Sequence, residues 1–316
     1  MFKFLWTEKQ NFGPPARYGH VMGYDVTRSR VVLFGGRADP VINNKVVSTY
    51  FRDTWEWDGL NWTKISDVGP NPRLRPGFAF DYVRGRLILF GGSDENTKLH
   101  RDTWEWNGED WTQLSDEGPS PAHSLAMTSD SKRKQVVLYG GETHNFVQLD
   151  ETWEWDGEHW TRQEAIGPGK RTKHAMAYDP ARGRVVLTGP DDQTWEWDGE
   201  LWKQVTEIGL GVNNSHAMTY DGRAVILFGG DNLQQTGFFK QSGSTWEWDG
   251  KHWTQRLQIG PEPRTDCAIA YDSKRDRTVL FGGFHRPSKG PNESFGDTWE
   301  LAEKLPAVFA DTVGGG

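Results

Sequence analysis

The chain has a single cysteine, Cys267, in 316 residues, which excludes an intrachain disulfide framework and any multi-cysteine zinc or iron–sulfur centre. It has no excess of basic charge. The formal net charge is −8, so broad binding to nucleic acid or to an anionic membrane is not expected. No apolar run approaches the roughly 18 residues of a membrane span. The opening MFKFLWTEKQ lacks the long apolar stretch and small-residue cleavage site of a signal peptide, and a cytoplasmic location is expected. A P-loop, a dinucleotide fingerprint, HExxH, an EF-hand loop and GxSxG are all absent. The mean hydropathy is low, at −0.74, yet 37 glycines beside 35% hydrophobic residues bring the apolar share near the usual globular level, which argues against disorder.

What the chain has in unusual quantity is tryptophan, 17 residues. The phrase TWEW begins at Thr54, Thr103, Thr152, Thr194 and Thr245, and TWEL begins at Thr298, at intervals of 49, 49, 42, 51 and 53 residues. A further tryptophan follows each TWEW, at Trp62, Trp111, Trp160, Trp202 and Trp253, leaving only Trp6 outside the series. A glycine pair ends an apolar run ahead of each phrase, as at Gly35-Gly36, except that the fourth copy reads Gly189-Pro190.

Each copy reads as four short strands. The first is a segment such as His174 to Asp179, and the second is an apolar run such as Val31 to Phe34. The third is TWEW, where alternation puts both tryptophans on one face, and the fourth carries the last tryptophan. Asp-Gly or Asn-Gly after TWEW, as at Asp58-Gly59, is a strong hairpin signal. Six four-stranded meanders at a period near 50 define an all-β, six-bladed β-propeller with antiparallel strands. The last copy lacks its fourth-strand tryptophan, and Trp6-Thr7 has the form of that strand. The N-terminal strand is therefore expected to close the sixth blade, which removes two exposed edges. One domain over residues 3–301 is expected, followed by a flexible tail, 302–316.

The glycine pair after an apolar strand, the spaced aromatic residues and the Pro-Arg-x-x-His lead-in to a blade resemble the Kelch family. The departures are Gly189-Pro190 and the missing arginine in blades 3 and 5. The resemblance implies the propeller and leaves the function open, since fold alone does not assign function.

Connectivity puts the 1–2 and 3–4 turns on one face and the longer 2–3 and 4–1 loops on the other, where recognition residues usually sit. The 2–3 loops of blades 6, 1 and 5 are long and that of blade 4 is short, so an off-centre cleft is expected. Its aromatic candidates are Tyr50, Phe51, Phe238 and Phe239. In Kelch proteins that bind acidic peptides, similarly placed arginines reach the ligand, which makes Arg17, Arg73, Arg171 and Arg264 candidates by resemblance. Repeated residues usually serve the repeat itself, and the same arginines are read in the first place as partners for backbone carbonyls or neighbouring-blade carboxylates. Three residues further on, His20, His174, His216 and Cys267 form an arc near the axis, read as acid–base groups, as ligands for zinc or copper, or as packing, with packing preferred. The glutamates of TWEW, such as Glu56 and Glu196, are expected to pair with strand-borne arginines such as Arg30, Arg86, Arg184 and Arg277.

Two functions follow from these readings. The first is a monomeric binding module for a peptide, a protein loop or a polar small molecule on the 2–3/4–1 face. The alternative is a cofactor-independent isomerase, lyase or cyclase using the His/Cys arc. No metal or other cofactor is expected.

Overall fold

The computed structural model describes residues 3–9, 12–43, 45–191, 193–206, 210, 214–233, 239–257, 259–287 and 292–304. Six four-stranded antiparallel sheets form a six-bladed propeller. Blade 1 runs Val21–Asp25, Arg30–Phe34, Thr54–Trp57 and Trp62–Ser66, and blades 2 to 5 repeat the order. In blade 6, Ala268–Asp272, Arg277–Phe281 and Thr298–Lys304 come from the end of the chain, and the fourth strand is Lys3–Glu8. Trp6 lies opposite Leu301, as the missing tryptophan required. The third strand of this blade runs three residues beyond the expected boundary at 301. Among the described residues the one helical turn is a 3₁₀ turn at His144–Phe146, and no helix is long and apolar enough to cross a membrane.

The second strands form the dry interior, with Val31–Phe34 and Leu87–Phe90 fully buried. The TWEW phrase joins the blades. Each fourth-strand indole donates to the threonine that opens TWEW in the preceding blade: Trp62 to Thr298, Trp111 to Thr54, Trp160 to Thr103, Trp202 to Thr152, Trp253 to Thr194 and Trp6 to Thr245, all at 2.8–2.9 Å. The second indole of TWEW reaches back to a buried carboxylate, as Trp57 does to Glu300 and Trp197 to Glu154. A large apolar ring with one donor thus fills the seam and satisfies its own polar atom.

Glu247 pairs with a strand-borne arginine, Arg256, as expected, and Glu300 pairs with Lys9, but the other four glutamates pair differently. Glu56 binds Arg28, Glu105 binds Arg84, Glu154 binds Arg133 and Glu196 binds Arg182, all arginines of the 1–2 turns. The strand-borne Arg30, Arg86 and Arg184 instead donate to the carbonyl of the residue before them. The turn arginine folds back toward the third strand because the aspartate that begins the turn, such as Asp25, accepts the N–H groups of Thr27 and Arg28 and fixes it there.

The glycine pair is a close approach between blades. Gly35 has φ +73°, and a Cβ on it would stand 2.8 Å from the Arg73 carbonyl, to which Gly36 donates at 2.9 Å. Pro190 has no N–H to give, so this link cannot form between blades 4 and 5.

Candidate functional site

The arginines offered as ligand groups are turned into the blades. Arg17, Arg73 and Arg264 are fully buried, and Arg171 is 3% exposed. Arg17 donates twice to Asp53, at 2.6 and 3.0 Å, and also to the carbonyls of Gly35 and Pro15. Arg73 holds Asp102 and Arg264 holds Asp297 in the same bidentate way. Arg171 holds Asp191, whose side chain is 38% exposed. Each carboxylate belongs to the arginine's own blade rather than to its neighbour. Burial alone would raise the Asp53 carboxyl, but the hydrogen bonds and charge of Arg17 hold it below the usual range.

Phe51 is the other cover of this clasp, with its ring centroid 3.9 Å from the Arg17 guanidinium, and Phe295 covers Arg264 at the same distance. Tyr50 accepts a hydrogen bond from Arg37 within its own hairpin. Phe238 and the side chain of Phe239 lie outside the described residues.

His20, His174, His216 and Cys267 do take equivalent places around the axis, all buried. The His20 and His174 rings pack edge-on against Phe281 and Tyr139 of the preceding blades, and all three histidines are among the residues that line the axial cavity. His174 lies 3.1 Å from the Tyr139 carbonyl of the preceding blade, whereas both ring nitrogens of His20 and of His216 are buried without a hydrogen-bond partner among the described residues. Burial pushes the histidines down, His20 and His174 to about 3 and His216 to about 4, so all three are neutral packing groups at neutral pH. Burial likewise raises the Cys267 thiol to about 12, which disfavours its thiolate at neutral pH.

A different set of side chains meets at the axis. Between each arginine position and histidine position lies one residue in the left-handed region: Gly19, Arg75, Ser124, Lys173, Ser215 and Asp266, with φ between 50° and 61°. Their backbones close a ring. Arg75 N–H donates to Gly19, Ser124 to Arg75, Lys173 to Ser124, Ser215 to Lys173, Asp266 to Ser215 and Gly19 to Asp266, at 2.7–3.0 Å. Five of the six are not glycine, at a cost of about 1–2 kcal/mol each. The closed ring over-determines that conformation, and backbone strain of this kind clusters at functional sites.

The ring makes the site asymmetric. Arg75 reaches over Gly19, where a Cβ would stand 3.2 Å from its Cγ, and grips Asp266 at 2.7 and 2.9 Å. Burial would raise Asp266, but the Arg75 charge and hydrogen bonds outweigh it and lower the carboxyl. The mouth is thereby bridged on the blade 1 side. On the opposite side a cleft of 570 Å³ opens above Lys173 and Ser215, next to the short blade 4 loop at Pro190 and Asp191. Glu142, Asp231 and Arg286 stand in its walls. Burial and the nearby Asp266 charge raise the Asp231 carboxyl. No ion pair among the described residues commits Lys170, Lys173 or Arg286. Among the described residues no group of three or more His, Cys, Asp or Glu could hold a metal ion.

None of the ring side chains was singled out from sequence. The position two residues after each arginine position does change in residue type from blade to blade, but so do the positions on either side of it, so the sequence does not set it apart.

Six closed blades with long loops on one face define a repeat propeller whose variable side chains gather on the axis. The family model for the KLHDC2/KLHL20/DRC7 Kelch-repeats domain matches residues 3–189, and the chain belongs to this Kelch-repeat family. It is similar to dynein regulatory complex subunit 7 of Chlamydomonas reinhardtii, with 35% identity over 79 residues. That stretch is 25% of this chain and 6% of the relative, so the chain corresponds to a small part of that protein. The solved structure of YjhT superposes with a TM-score of 0.65 at 13% identity, covering 89% of this chain and 95% of that one, a likeness of fold.

Proposed function

We propose that the protein is a binding module that takes a peptide, a protein loop or a polar small molecule into the cleft above Lys173 and Ser215. One observation carries this reading: a ring of equivalent positions whose chemistry differs between blades, Gly19, Arg75, Ser124, Lys173, Ser215 and Asp266, meets at the axis beside the cleft. Repeated residues are accounted for by the blades, so selection for a ligand falls on the residues that differ. Lys173 and Arg286 supply cationic contacts, Asp231 supplies a hydrogen-bonding carboxyl, and the Arg75–Asp266 bridge fixes one wall. The enzyme reading has less support, because burial holds the three imidazoles neutral and those of His20 and His174 pack against Phe281 and Tyr139.

A thermal-shift screen of short peptides and polar metabolites tests the proposal. A ligand at 100 times its Kd should stabilise the protein by about 2.7 kcal/mol. The Lys173→Glu/Arg286→Glu double variant should melt like wild type and lose that shift. Ligands that stabilise both proteins equally would place the site elsewhere.

A further inference from the structure

The seam between blades 1 and 6 carries a second concave surface, separate from the cleft. It is a groove of 730 Å³ with Phe51, Ala38, Pro15 and Ala16 in its lining, bounded by the blade 1 hairpin and by Asn292–Ser294 of blade 6. Through Pro15, Ala16 and Ser294 it continues into a neighbouring hollow of 550 Å³.

The hairpin beside the groove is built to stand out. Arg37–Ala38 pairs with Thr49–Tyr50, and beyond them Val41–Ile42 pairs with Lys45–Val46. Its base is fixed: Asp39 accepts hydrogen bonds from the Tyr18 hydroxyl at 2.6 Å and from Arg37 Nε at 2.7 Å, and Arg37 also donates to Ser48. Its tip nevertheless leaves Val41 53%, Ile42 52% and Val46 64% exposed. A rigid element that presents β-branched side chains to water next to an apolar groove gains free energy only when a partner covers them.

Charge identifies the partner. Among the described residues, the charged side chains lining the groove are Asp39 and Glu293, and those lining the adjoining hollow are Glu8 and Asp297. All four are carboxylates. Asp39 and Asp297 are held by Arg37 and Arg264, and Glu293 is exposed with no ion pair among the described residues. Glu293 is thus the carboxylate left for a ligand, and it favours a cationic group over an anionic one at this end of the groove.

We infer that this seam docks an extended polypeptide segment of a partner protein, with one or two aliphatic side chains in the groove and a flanking Lys or Arg against Glu293. The surface is independent of the axial cleft.

Fluorescence anisotropy with three labelled peptides tests it: a Val-Ile centre flanked by Lys-Arg, the same centre flanked by Glu, and a Ser-Gly centre flanked by Lys-Arg. The first should bind wild type, and the other two should bind at least about tenfold more weakly. Glu293→Lys, and separately Val41→Ser with Val46→Ser, should each weaken the first peptide by about tenfold or more with an unchanged melting temperature. The Lys173→Glu/Arg286→Glu protein should bind it like wild type, so failure of the cleft reading leaves this result intact. Equal binding of the Glu-flanked peptide, no binding of any peptide, or insensitivity to these substitutions would overturn the inference. So would transfer of the surface to another occupant, read as binding to phosphatidylserine vesicles or as self-association abolished by Val41→Ser with Val46→Ser.

Discussion

Replacing Arg17 with alanine separates two roles that the sequence left open, ligand contact and blade clasp. The guanidinium is fully buried, makes two hydrogen bonds to Asp53 and two to backbone carbonyls, and lies under the Phe51 ring. Its removal strands the Asp53 carboxylate and two carbonyl groups in the interior. Breaking a buried ion pair from one side costs about 3–5 kcal/mol. For a domain of this length, at roughly 2.1 cal/mol/K per residue, that lowers Tm by roughly 5–8 °C. Arg73→Ala and Arg264→Ala should cost a similar amount, because their clasps share the geometry. Arg171→Ala should cost less than half as much, since the 38% exposed Asp191 carboxylate is rehydrated when its partner leaves. The clasp also has a pH signature. Asp53 and Asp102 have lowered pKa values in the folded chain, so their contribution is complete above the unfolded carboxylate range near pH 4 and is lost as the pH falls through the lower folded values. Differential scanning calorimetry of the four variants at pH 7, with wild type carried from pH 5 to pH 2, measures both effects. An Arg17→Ala protein that melts like wild type but no longer binds a ligand found in the cleft screen would refute the clasp and restore the arginine to the binding surface.

Two further outcomes follow from the seams. Thr245→Val keeps the shape of the side chain but removes the acceptor for the buried Trp6 indole, and should destabilise the closing strand by about 1–3 kcal/mol. Hydrogen exchange should locate the loss in residues 3–8, and uniform exchange across the ring would argue against this bond as the closure. The histidines give the second outcome. Their folded pKa values, about 3 for His20 and His174 and about 4 for His216, lie below the unfolded value near 6.5. The unfolded chain therefore takes up protons first, and stability falls as the pH drops from about 6.5 toward 4, by up to about 1.4 kcal/mol per pH unit for each histidine. His174→Phe should flatten that slope in urea titrations between pH 4 and pH 7, and an unchanged slope would show that this imidazole titrates normally.

The architecture was legible because it is written six times. TWEW, the glycine pair and the solitary Trp6 fixed blade number, strand order and the closing strand, since each blade must bury the same faces against identical neighbours. Two details that depended on side-chain direction came out differently. Four of the glutamates meet turn arginines because Asp25 and its equivalents fold the turn back, and the clasp arginines, read as partners of carbonyls or carboxylates, take the carboxylate from their own blade rather than from a neighbour. Neither direction leaves a mark on spacing.

The sequence by itself determined a closed ring of six sheets and the strand positions at which tryptophan packs, because local periodicity and the demand to cover every sheet face admit one solution. Only the tertiary structure decided what stands on the axis. Gly19, Arg75, Ser124, Lys173, Ser215 and Asp266 are separated by about 40–60 residues in the chain and become neighbours through ring closure and a shared left-handed backbone. That conformation aims side chains of unlike chemistry at one cleft, and it is set by hydrogen bonds between blades rather than by any local signal.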